Sequence, residues 1–293
     1  MRRGVTFGTV LMLALGARAA LPAVAGGPEA LVNTERAFAA DAAAHGVRDA
    51  FLAHLAPTAV VFNPGPVSAR KLYTAARPTP QRLAWDPAIA VLSGAGDLGW
   101  TTGPWTLRAD SSKRAIAAAG TFVTLWKRQA DGAYQAVFDV GVTHAPPAVA
   151  GTPMPETRQL APLPGARGTL QQRHGLWKAD DDFATVASAQ GLAAALAASA
   201  SPQVRWMRDG AMPVVGHDAA RDSAAVHHPQ GRMMSLAQFV SDSGDLGYTY
   251  GTFVEGTAAA PDSSYYLHVW ERASGHPWQL ALELFSPVPH AKK

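Results

Sequence analysis

The feature that most constrains the fold of this chain is an internal duplication. Residues 93–103, SGAGDLGWTTG, recur as residues 241–251, SDSGDLGYTYG, 148 positions later. A second pair of segments, 125–128 and 269–272, is 144 positions apart. Offsets that differ by a few residues, with the order of segments kept, are what loop insertions produce between two copies of one unit. The sequence therefore predicts two similar units.

Each copy begins with a helical pattern and continues with strands. In the first copy Phe38 precedes a break near Gly46, and in the second copy Phe183 precedes Gly191. Alanine-rich polar faces around these positions are typical of amphipathic helices. The runs that follow are rich in Val, Thr, Tyr, Phe and Trp and are separated by turn residues. Helices followed by a meander of strands predict the α+β fold class, with an antiparallel sheet in each unit.

The N-terminus has the pattern of a secretory signal peptide. Arg2 and Arg3 precede a short apolar run, and two small-residue cleavage patterns follow, one ending at Ala19 and a later one ending at Ala25. We therefore expect residues 1–25 to be removed, and the mature protein to be periplasmic or secreted.

Proline content marks the boundary between the two copies. Six prolines lie between residues 145 and 168, where they can neither continue a helix nor donate to a strand ladder. The predicted division is a first domain over 28–145, an extended linker over 146–173 and a second domain over 174–290.

The composition excludes several kinds of chemistry. The chain has no cysteine, which removes disulfides, thiolate nucleophiles and cysteine-ligated zinc. The pair His227–His228 lacks converging partner ligands, so we expect no metal and no cofactor. The formal charge of +3 comes from the arginines at positions 2, 3 and 18. The mature chain is then neutral, which argues against a nucleic-acid or membrane partner.

The last two strands of each copy are predicted to form a hairpin, with turns at 129–133 and 273–277. Strand alternation places Asp139 and Glu283 on the face opposite to an aromatic one. That aromatic face contains, in the two copies, Phe122, Thr124, Trp126, Tyr134, Ala136 and Phe138, and Tyr266, His268, Trp270, Trp278, Leu280 and Leu282.

Asp139 and Glu283 are the candidate catalytic acids, because they occupy equivalent positions in an otherwise apolar strand. A carboxyl group there must be paired, hydrogen-bonded or in a wet pocket, where desolvation suits it to general base catalysis. The alternative is a buried carboxyl satisfied by nearby donors. His268 is a third candidate, either as a pocket acid or base or as a packed ring. Asp97 and Asp245, between glycines, are predicted to be turn residues.

The order of the motifs resembles a known family. Gly-Asp-Leu-Gly-[Trp/Tyr]-Thr-x-Gly is followed by [Leu/Val]-Trp-[Lys/Glu]-Arg and, in the first copy, by Asp131-Gly132-x-Tyr134. This order is similar to that of the DUF4440 and SnoaL-like branch of the NTF2-like superfamily, over most of 28–145 and more weakly over 174–288. The resemblance implies cone-shaped domains, each a curved antiparallel sheet over helices with a pocket in the concavity.

The resemblance also implies how the domains pair and act. Such domains commonly pair through their sheets, so a tandem chain would form an internal pseudo-dimer. In members similar to ketosteroid isomerase or polyketide cyclases, a strand carboxylate facing the pocket is the general base. Fold membership by itself does not assign a function.

We expect an exported protein that binds an apolar small molecule or has a structural role. One alternative is a cofactor-independent isomerase or cyclase with Asp139 or Glu283 as base and with His268 or a nearby tyrosine polarising the substrate. A second alternative is a protein–protein scaffold with filled cones. The candidate pocket walls are Trp126, Phe138, Tyr266 and Trp270. The first copy has the cleaner motif and is expected to hold the functional pocket.

Overall fold

A computed structural model of the protein describes six parts of the chain, which are residues 26–110, 115–146, 154–165, 170–227, 231–257 and 260–289. The predicted signal peptide lies outside the described residues. We call residues 26–165 the first half and residues 170–289 the second half. No helix in these parts combines the length and the apolar composition needed to cross a membrane.

The first half combines three helices with eight strands. The helices are α1 (Glu29–His45), α2 (Val47–His54) and α3 (Ala69–Ala75). The strands are β1 (Leu55–Phe62), β2 (Pro66–Ser68), β3 (Arg82–Trp85), β4 (Ile89–Leu92), β5 (Leu98–Arg108), β6 (Ala118–Arg128), β7 (Tyr134–Thr143) and β8 (Glu156–Gln159). They form one sheet in the order β2-β1-β7-β6-β5-β4-β8, with β3 paired to β5.

The second half repeats this order of elements. Its helices are α4 (Leu170–Gln190), α5 (Leu192–Ser199) and α6 (His217–His227). Its strands are β9 (Ala200–Arg208), β10 (Val214–Val215), β11 (Arg232–Val240), β12 (Leu246–Thr257), β13 (Ala260–Glu271) and β14 (Gln279–Pro287). They form a second sheet in the order β10-β9-β14-β13-β12-β11. The chain is therefore α+β with two separate sheets, as the fold class predicted.

The predicted helix breaks are confirmed, and glycine makes them possible. Gly46 between α1 and α2 has φ of 90°, and Gly191 between α4 and α5 has φ of 94°. A side chain at this backbone conformation would be strained, whereas glycine adopts it freely. The predicted hairpin turn at 129–133 is also confirmed, closed by a hydrogen bond from the Gln129 amide to the Ala133 carbonyl.

The sheets are not wholly antiparallel, which corrects the prediction. In each half the strand that follows the second helix, β1 or β9, pairs in parallel with the last strand, β7 or β14. A parallel pair requires a long crossover, and the rest of the unit supplies it. No local sequence pattern indicates such a pairing.

Part of the predicted extended linker is a strand of the first sheet. Its strand β8 pairs in parallel with β4 and extends the first sheet. From β8, the Arg158 guanidinium donates two hydrogen bonds to the Glu271 carboxylate of the second half, at 2.7 and 2.9 Å. Helix α4 begins at Leu170, four residues before the predicted domain start. The linker therefore belongs in part to the first sheet.

Side chains of the last strand in each half were predicted to alternate regularly between the two faces of the sheet. This prediction is wrong for the residues that follow one position in each of these strands. Leu125 pairs with Phe138 and Trp126 pairs with Ala136, so Val137 is an extra residue, a β-bulge. Ala281 is the corresponding extra residue in β14. A bulge reverses the faces of all later residues in its strand. Phe138 and Asp139, like Leu282 and Glu283, therefore exchange the faces that alternation assigned to them.

The face that receives Phe138 packs against the second half. The Phe138 ring lies 5.2 Å from the ring of Tyr250 and 6.1 Å from that of Tyr248, centroid to centroid. Leu125 and Leu282 belong to the same buried cluster, which includes residues of both halves. Burial of apolar surface between the two sheets stabilises their contact by about 25 cal/mol per Å2.

The two Gly-Asp-Leu-Gly segments form turns, as predicted, and these turns also bind each other. Asp245 accepts a hydrogen bond from the Gly94 amide at 2.7 Å, and Asp97 accepts one from the Asp242 amide at 2.9 Å. Asp245 is fully buried and also accepts from two serine hydroxyls of its own turn. We call this reciprocal arrangement the turn clasp.

The turn clasp gives a first prediction. Asp245→Ala leaves three buried donors without their acceptor, so the free energy of unfolding should fall by about 2 kcal/mol or more. Urea unfolding followed by circular dichroism measures this change. The control is Asp131→Ala in the exposed hairpin turn, where the expected loss is below about 0.5 kcal/mol. Equal losses in the two variants would contradict a structural role of the clasp.

Candidate functional site

A cavity of about 540 Å3 opens into the first half between its helices and the concave face of its sheet. This volume lies in the range of small-molecule sites. Its walls are mainly apolar and aromatic, and include Phe51, Leu83, Trp85, Trp105 and Phe122. Exposed residues of the segment after α3, among them Arg77 and Thr79, form its rim.

Asp139 lines this cavity, because the bulge at Val137 turns its side chain to the concave face. Thr124 on the neighbouring strand donates a hydrogen bond to Asp139 Oδ2 at 3.1 Å. Burial, and then the charge of Glu35, raise the pKa of Asp139 from 3.8 to about 7, against the effect of the Thr124 hydrogen bond. In the described part of the chain no cation pairs with Asp139.

Glu35 is a buried carboxyl residue next to this site that was not predicted from the sequence. It is fully buried on α1 and accepts hydrogen bonds from Trp85 Nε1 at 2.6 Å, from Trp126 Nε1 at 3.1 Å and from the Thr101 hydroxyl. Burial raises its pKa, and these hydrogen bonds oppose the rise. The Thr124 hydroxyl is close to both carboxyl groups. It donates a hydrogen bond to Asp139, and its interaction with Glu35 lowers the pKa of Glu35.

The sequence contains a pattern that indicates a buried role for Glu35. Glu35 lies four residues after Leu31 and three before Phe38, so it shares their buried helix face. In the second copy Asp180 has the same spacing from Leu176 and Phe183. An acidic residue on the apolar face of a helix in both copies is expected to have a buried partner.

Tyr73 is a polar residue that lines the cavity together with Asp139. It lies on α3 and its side chain is packed against the ring of Phe51, at 4.5 Å between centroids. Burial, and then the charge of Asp139, raise the pKa of the Tyr73 hydroxyl. Tyr73 therefore keeps its proton across the physiological range and can donate a hydrogen bond into the cavity.

The equivalent carboxyl of the second half is in a different environment. Glu283 is fully buried and accepts from the Arg208 guanidinium at 2.8 Å. His268 lies within hydrogen-bond distance of both Glu283, at 3.3 Å, and Asp180, at 2.8 Å. Although burial opposes ionisation, the charge of Arg208 and the hydrogen bond with His268 lower the pKa of Glu283 to about 2.

His268 belongs to the same buried chain of charges. Burial disfavours the imidazolium form, but the hydrogen bonds and charges of Asp180 and Glu283 outweigh it and raise the pKa of His268. The Asp180 carboxylate has a lowered pKa, since the His268 interaction overcomes the cost of burial. The geometry is that of a satisfied internal ion network, the structural alternative considered for Glu283 and His268.

Arg208 fills the interior where a second cavity would lie. Its guanidinium carbon is 3.6 Å from the ring centroid of Phe285 and 4.0 Å from that of Trp206. By strand register the first half has Asn63 at this position, and Asn63 is exposed. The two copies therefore differ in whether the inner carboxyl meets a cation.

The four residues predicted as pocket walls are all buried elsewhere. None of them belongs to the described residues that line the cavity. Trp126 and Trp270 donate to Thr101 and Thr249 at the helix–sheet contact, and the Tyr266 hydroxyl donates to Asp180. Phe138 lies between the sheets because of the bulge. Across the described parts of the chain, no group of three or more potential metal ligands converges, and His228 lies outside them.

The raised pKa of Asp139 gives a second prediction. The folded protein keeps a proton that the unfolded chain releases between about pH 4 and pH 7, so this group's contribution to stability falls as the pH rises through that window. The variant Asp139→Asn has no titrating group at this position, so it does not lose this contribution to stability as the pH rises. Its melting temperature relative to the parent protein should therefore increase across the window and stay level above it.

Differential scanning calorimetry at closely spaced pH values measures this profile. Asp131→Asn, in the exposed turn, is the matched control and should follow the parent protein at every pH. A parallel course for Asp139→Asn and the parent would show that Asp139 titrates near its ordinary pKa.

The ion network gives a third prediction. Arg208→Met removes the cation beside a buried carboxylate and should lower the free energy of unfolding by about 3 kcal/mol or more. The double variant Arg208→Met, Glu283→Gln removes both charges and should recover most of this loss. Urea unfolding tests both variants. A double variant no more stable than the single one would mean that Arg208 acts through its packing and not through its charge.

Comparisons with known proteins give structural similarities only. No family model matches the chain. None of the curated proteins matches its sequence.

The similar solved structures include ketosteroid isomerase-like and NTF2-like proteins. A ketosteroid isomerase-like protein from Erwinia carotovora atroseptica SCRI1043 is 14% identical, with a TM-score of 0.37 over 42% of this chain and 100% of that one. An NTF-2 like protein of unknown function from Shewanella oneidensis MR-1 is 9% identical, with a TM-score of 0.33 over 39% of this chain and 97% of that one. A protein of unknown function with a cystatin-like fold from Nostoc punctiforme PCC 73102 is 11% identical, with a TM-score of 0.35 over 42% of this chain and 96% of that one.

Proposed function

We propose that this protein binds a small, largely apolar molecule in the cavity of its first half, and that Asp139 transfers a proton to or from that molecule. One observation carries the proposal: an open apolar cavity has on its inner wall a carboxyl group without a cation partner. A pKa of about 7 leaves both protonation states populated at neutral pH. Such a group is suited to act as base and then as acid.

The chemistry that fits these groups is proton transfer next to a carbonyl. The Asp139 carboxylate would take a proton from a carbon beside the carbonyl, and the electrons of the broken C–H bond would move to the carbonyl oxygen. The Tyr73 hydroxyl would donate a hydrogen bond to the oxygen that gains charge. In a substrate with a carbon–carbon double bond β,γ to the carbonyl, return of the same proton from Asp139 to the γ carbon shifts the double bond into conjugation and re-forms the carbonyl. This completes an isomerisation in which atoms and charge balance.

We assign the second half a structural role within this proposal. The charge of its inner carboxylate, Glu283, is balanced by the Arg208 guanidinium. The side chains around that guanidinium fill the interior. The scaffold alternative thus applies to this half. We also propose that both halves are NTF2-like domains of the SnoaL-like or DUF4440 type that form an internal pseudo-dimer. The repeated order of elements, the shared apolar cluster and the turn clasp support this arrangement.

Export to the periplasm or the medium remains part of the proposal and rests on the signal-peptide pattern of residues 1–25. Removal of that segment would leave the cavity half and the structural half intact, because the first described helix begins at Glu29.

Hydrogen–deuterium exchange tests the proposed chemistry and is the fourth prediction. Cyclic and aryl ketones are incubated with the protein in D2O, and loss of the α-proton signal is followed by NMR. The parent protein should accelerate exchange for ketones that also raise its melting temperature. Asp139→Asn should reduce the acceleration by about 100-fold or more, whereas Glu283→Gln should keep it, since Glu283 does not line the cavity.

Two outcomes would contradict the proposal in different ways. Ketones that bind but exchange equally fast with Asp139→Asn would remove the proton transfer and leave only binding. A panel without any thermal shift at saturating concentration would argue against small-molecule binding in the first half.

A further inference from the structure

The mouth of the cavity has an excess of positive charge. Arg48, Arg77 and Arg82 all line the cavity, and the only acidic residues among the described lining residues are Asp49 and, on the inner wall, Asp139. Arg48 donates to its neighbour Asp49 at 2.8 Å. The backbone of Arg82 pairs with β5, but neither the Arg77 nor the Arg82 guanidinium makes a hydrogen bond or an ion pair with another residue in the part of the chain that the structure describes. Two guanidinium groups at this entrance thus remain uncompensated.

The register of the sheet places a further arginine beside Arg82, outside the residues that line the cavity. Arg82 on β3 is directly opposite Arg108 on β5. Like charges at opposed positions of neighbouring strands destabilise a sheet. Cations concentrated around a cleft with low-dielectric walls attract anions and raise their local concentration. The entrance is therefore suited to a negatively charged group.

The walls behind this entrance are suited to a ring. Trp85 and Trp105 are directly opposed on β3 and β5, and both line the cavity together with Leu83 and Leu107. Aromatic walls favour flat, apolar bodies through burial and through ring–ring contact. A ligand that satisfies both regions has an apolar ring system and one anionic group.

We propose that the cavity takes a ring-containing organic anion, an aromatic or alicyclic compound with one carboxylate or sulfonate group. Its ring lies between the aromatic walls, and its anionic group lies at the arginine entrance. This inference rests on the proposed function, because it uses the same cavity and assigns its substrate class. The end of the ligand away from the anion then meets Asp139 and Tyr73.

Two fluorescent probes with the same ring frame isolate the role of the charge, and they give the fifth prediction. 1-Anilinonaphthalene-8-sulfonate is anionic, and N-phenyl-1-naphthylamine is its neutral counterpart without the sulfonate. Both fluoresce when they enter an apolar cavity. The full chain is titrated with each probe, first at low salt and then at about 500 mM sodium chloride, where exposed charges are screened.

The variant Arg77→Gln, Arg82→Gln should raise the dissociation constant of the anionic probe by about tenfold. The dissociation constant of the neutral probe should stay within about twofold, because its burial does not involve the guanidinium groups. High salt should weaken the anionic probe alone. Arg173→Gln, on the exposed surface of α4 in the second half, is the matched control and should change neither probe.

Ala76→Trp shows whether the probes occupy this cavity. Ala76 lines it, so a tryptophan side chain there should obstruct the entrance and reduce the binding of both probes. Far-UV circular dichroism checks that each variant is folded.

The outcomes separate the inference from the proposed function. Selective weakening of the anionic probe in the arginine variant supports the inference. The inference is overturned if both probes bind equally, if Ala76→Trp blocks both, and if neither the arginine variant nor salt changes their binding. That result leaves binding in the cavity intact. Probe binding that Ala76→Trp does not reduce, or the absence of binding, overturns both.

Discussion

The architecture of each half depends on one buried carboxyl group carried by its first helix. Glu35 gathers donors from three strands, and Asp180 gathers Thr249, Tyr266 and His268 in the same way. A carboxyl without such partners would cost several kcal/mol in an apolar interior. The helix must therefore lie where the donors converge, and this position determines how much space remains between helix and sheet.

The two halves share a similar arrangement of helices and strands, but a few residue differences give their inner carboxyl groups different environments. Thr124 links the helix carboxyl to Asp139 in the first half, and His268 occupies the matching position in the second. Arg208 then supplies a full positive charge, so the second inner carboxyl is ionised and enclosed. Without that cation the first inner carboxyl has a raised pKa of about 7 and lines an open cavity. The two halves thus differ at equivalent positions: the inner carboxyl of one lines an open cavity, and that of the other is paired with a guanidinium group.

The sequence was sufficient to predict the features that depend on local chemistry. The duplication, the glycines at the two helix breaks and the Gly-Asp-Leu-Gly turns each follow from backbone conformation or repetition. The bulge at Val137 did not follow, because no residue type is required there, and it alone reversed the assignment of Phe138 and Asp139. The parallel β1–β7 pair and the linker strand β8 depend on contacts distant in sequence. Glu35 could have been found from the helix face that it shares with Phe38.

The turn clasp has a consequence for how the halves stay together. Each half supplies an acceptor for a backbone amide of the other, so contacts on both surfaces fix how the halves align, together with the Arg158–Glu271 contact from β8. Two separately synthesised halves should then recognise each other and assemble as a heterodimer. Two copies of the second half alone would keep the polar part of the clasp but would lack the Phe138 side of the apolar contact. Because the two halves are no longer interchangeable, their fusion in one chain would ensure that they are synthesised in equal amounts.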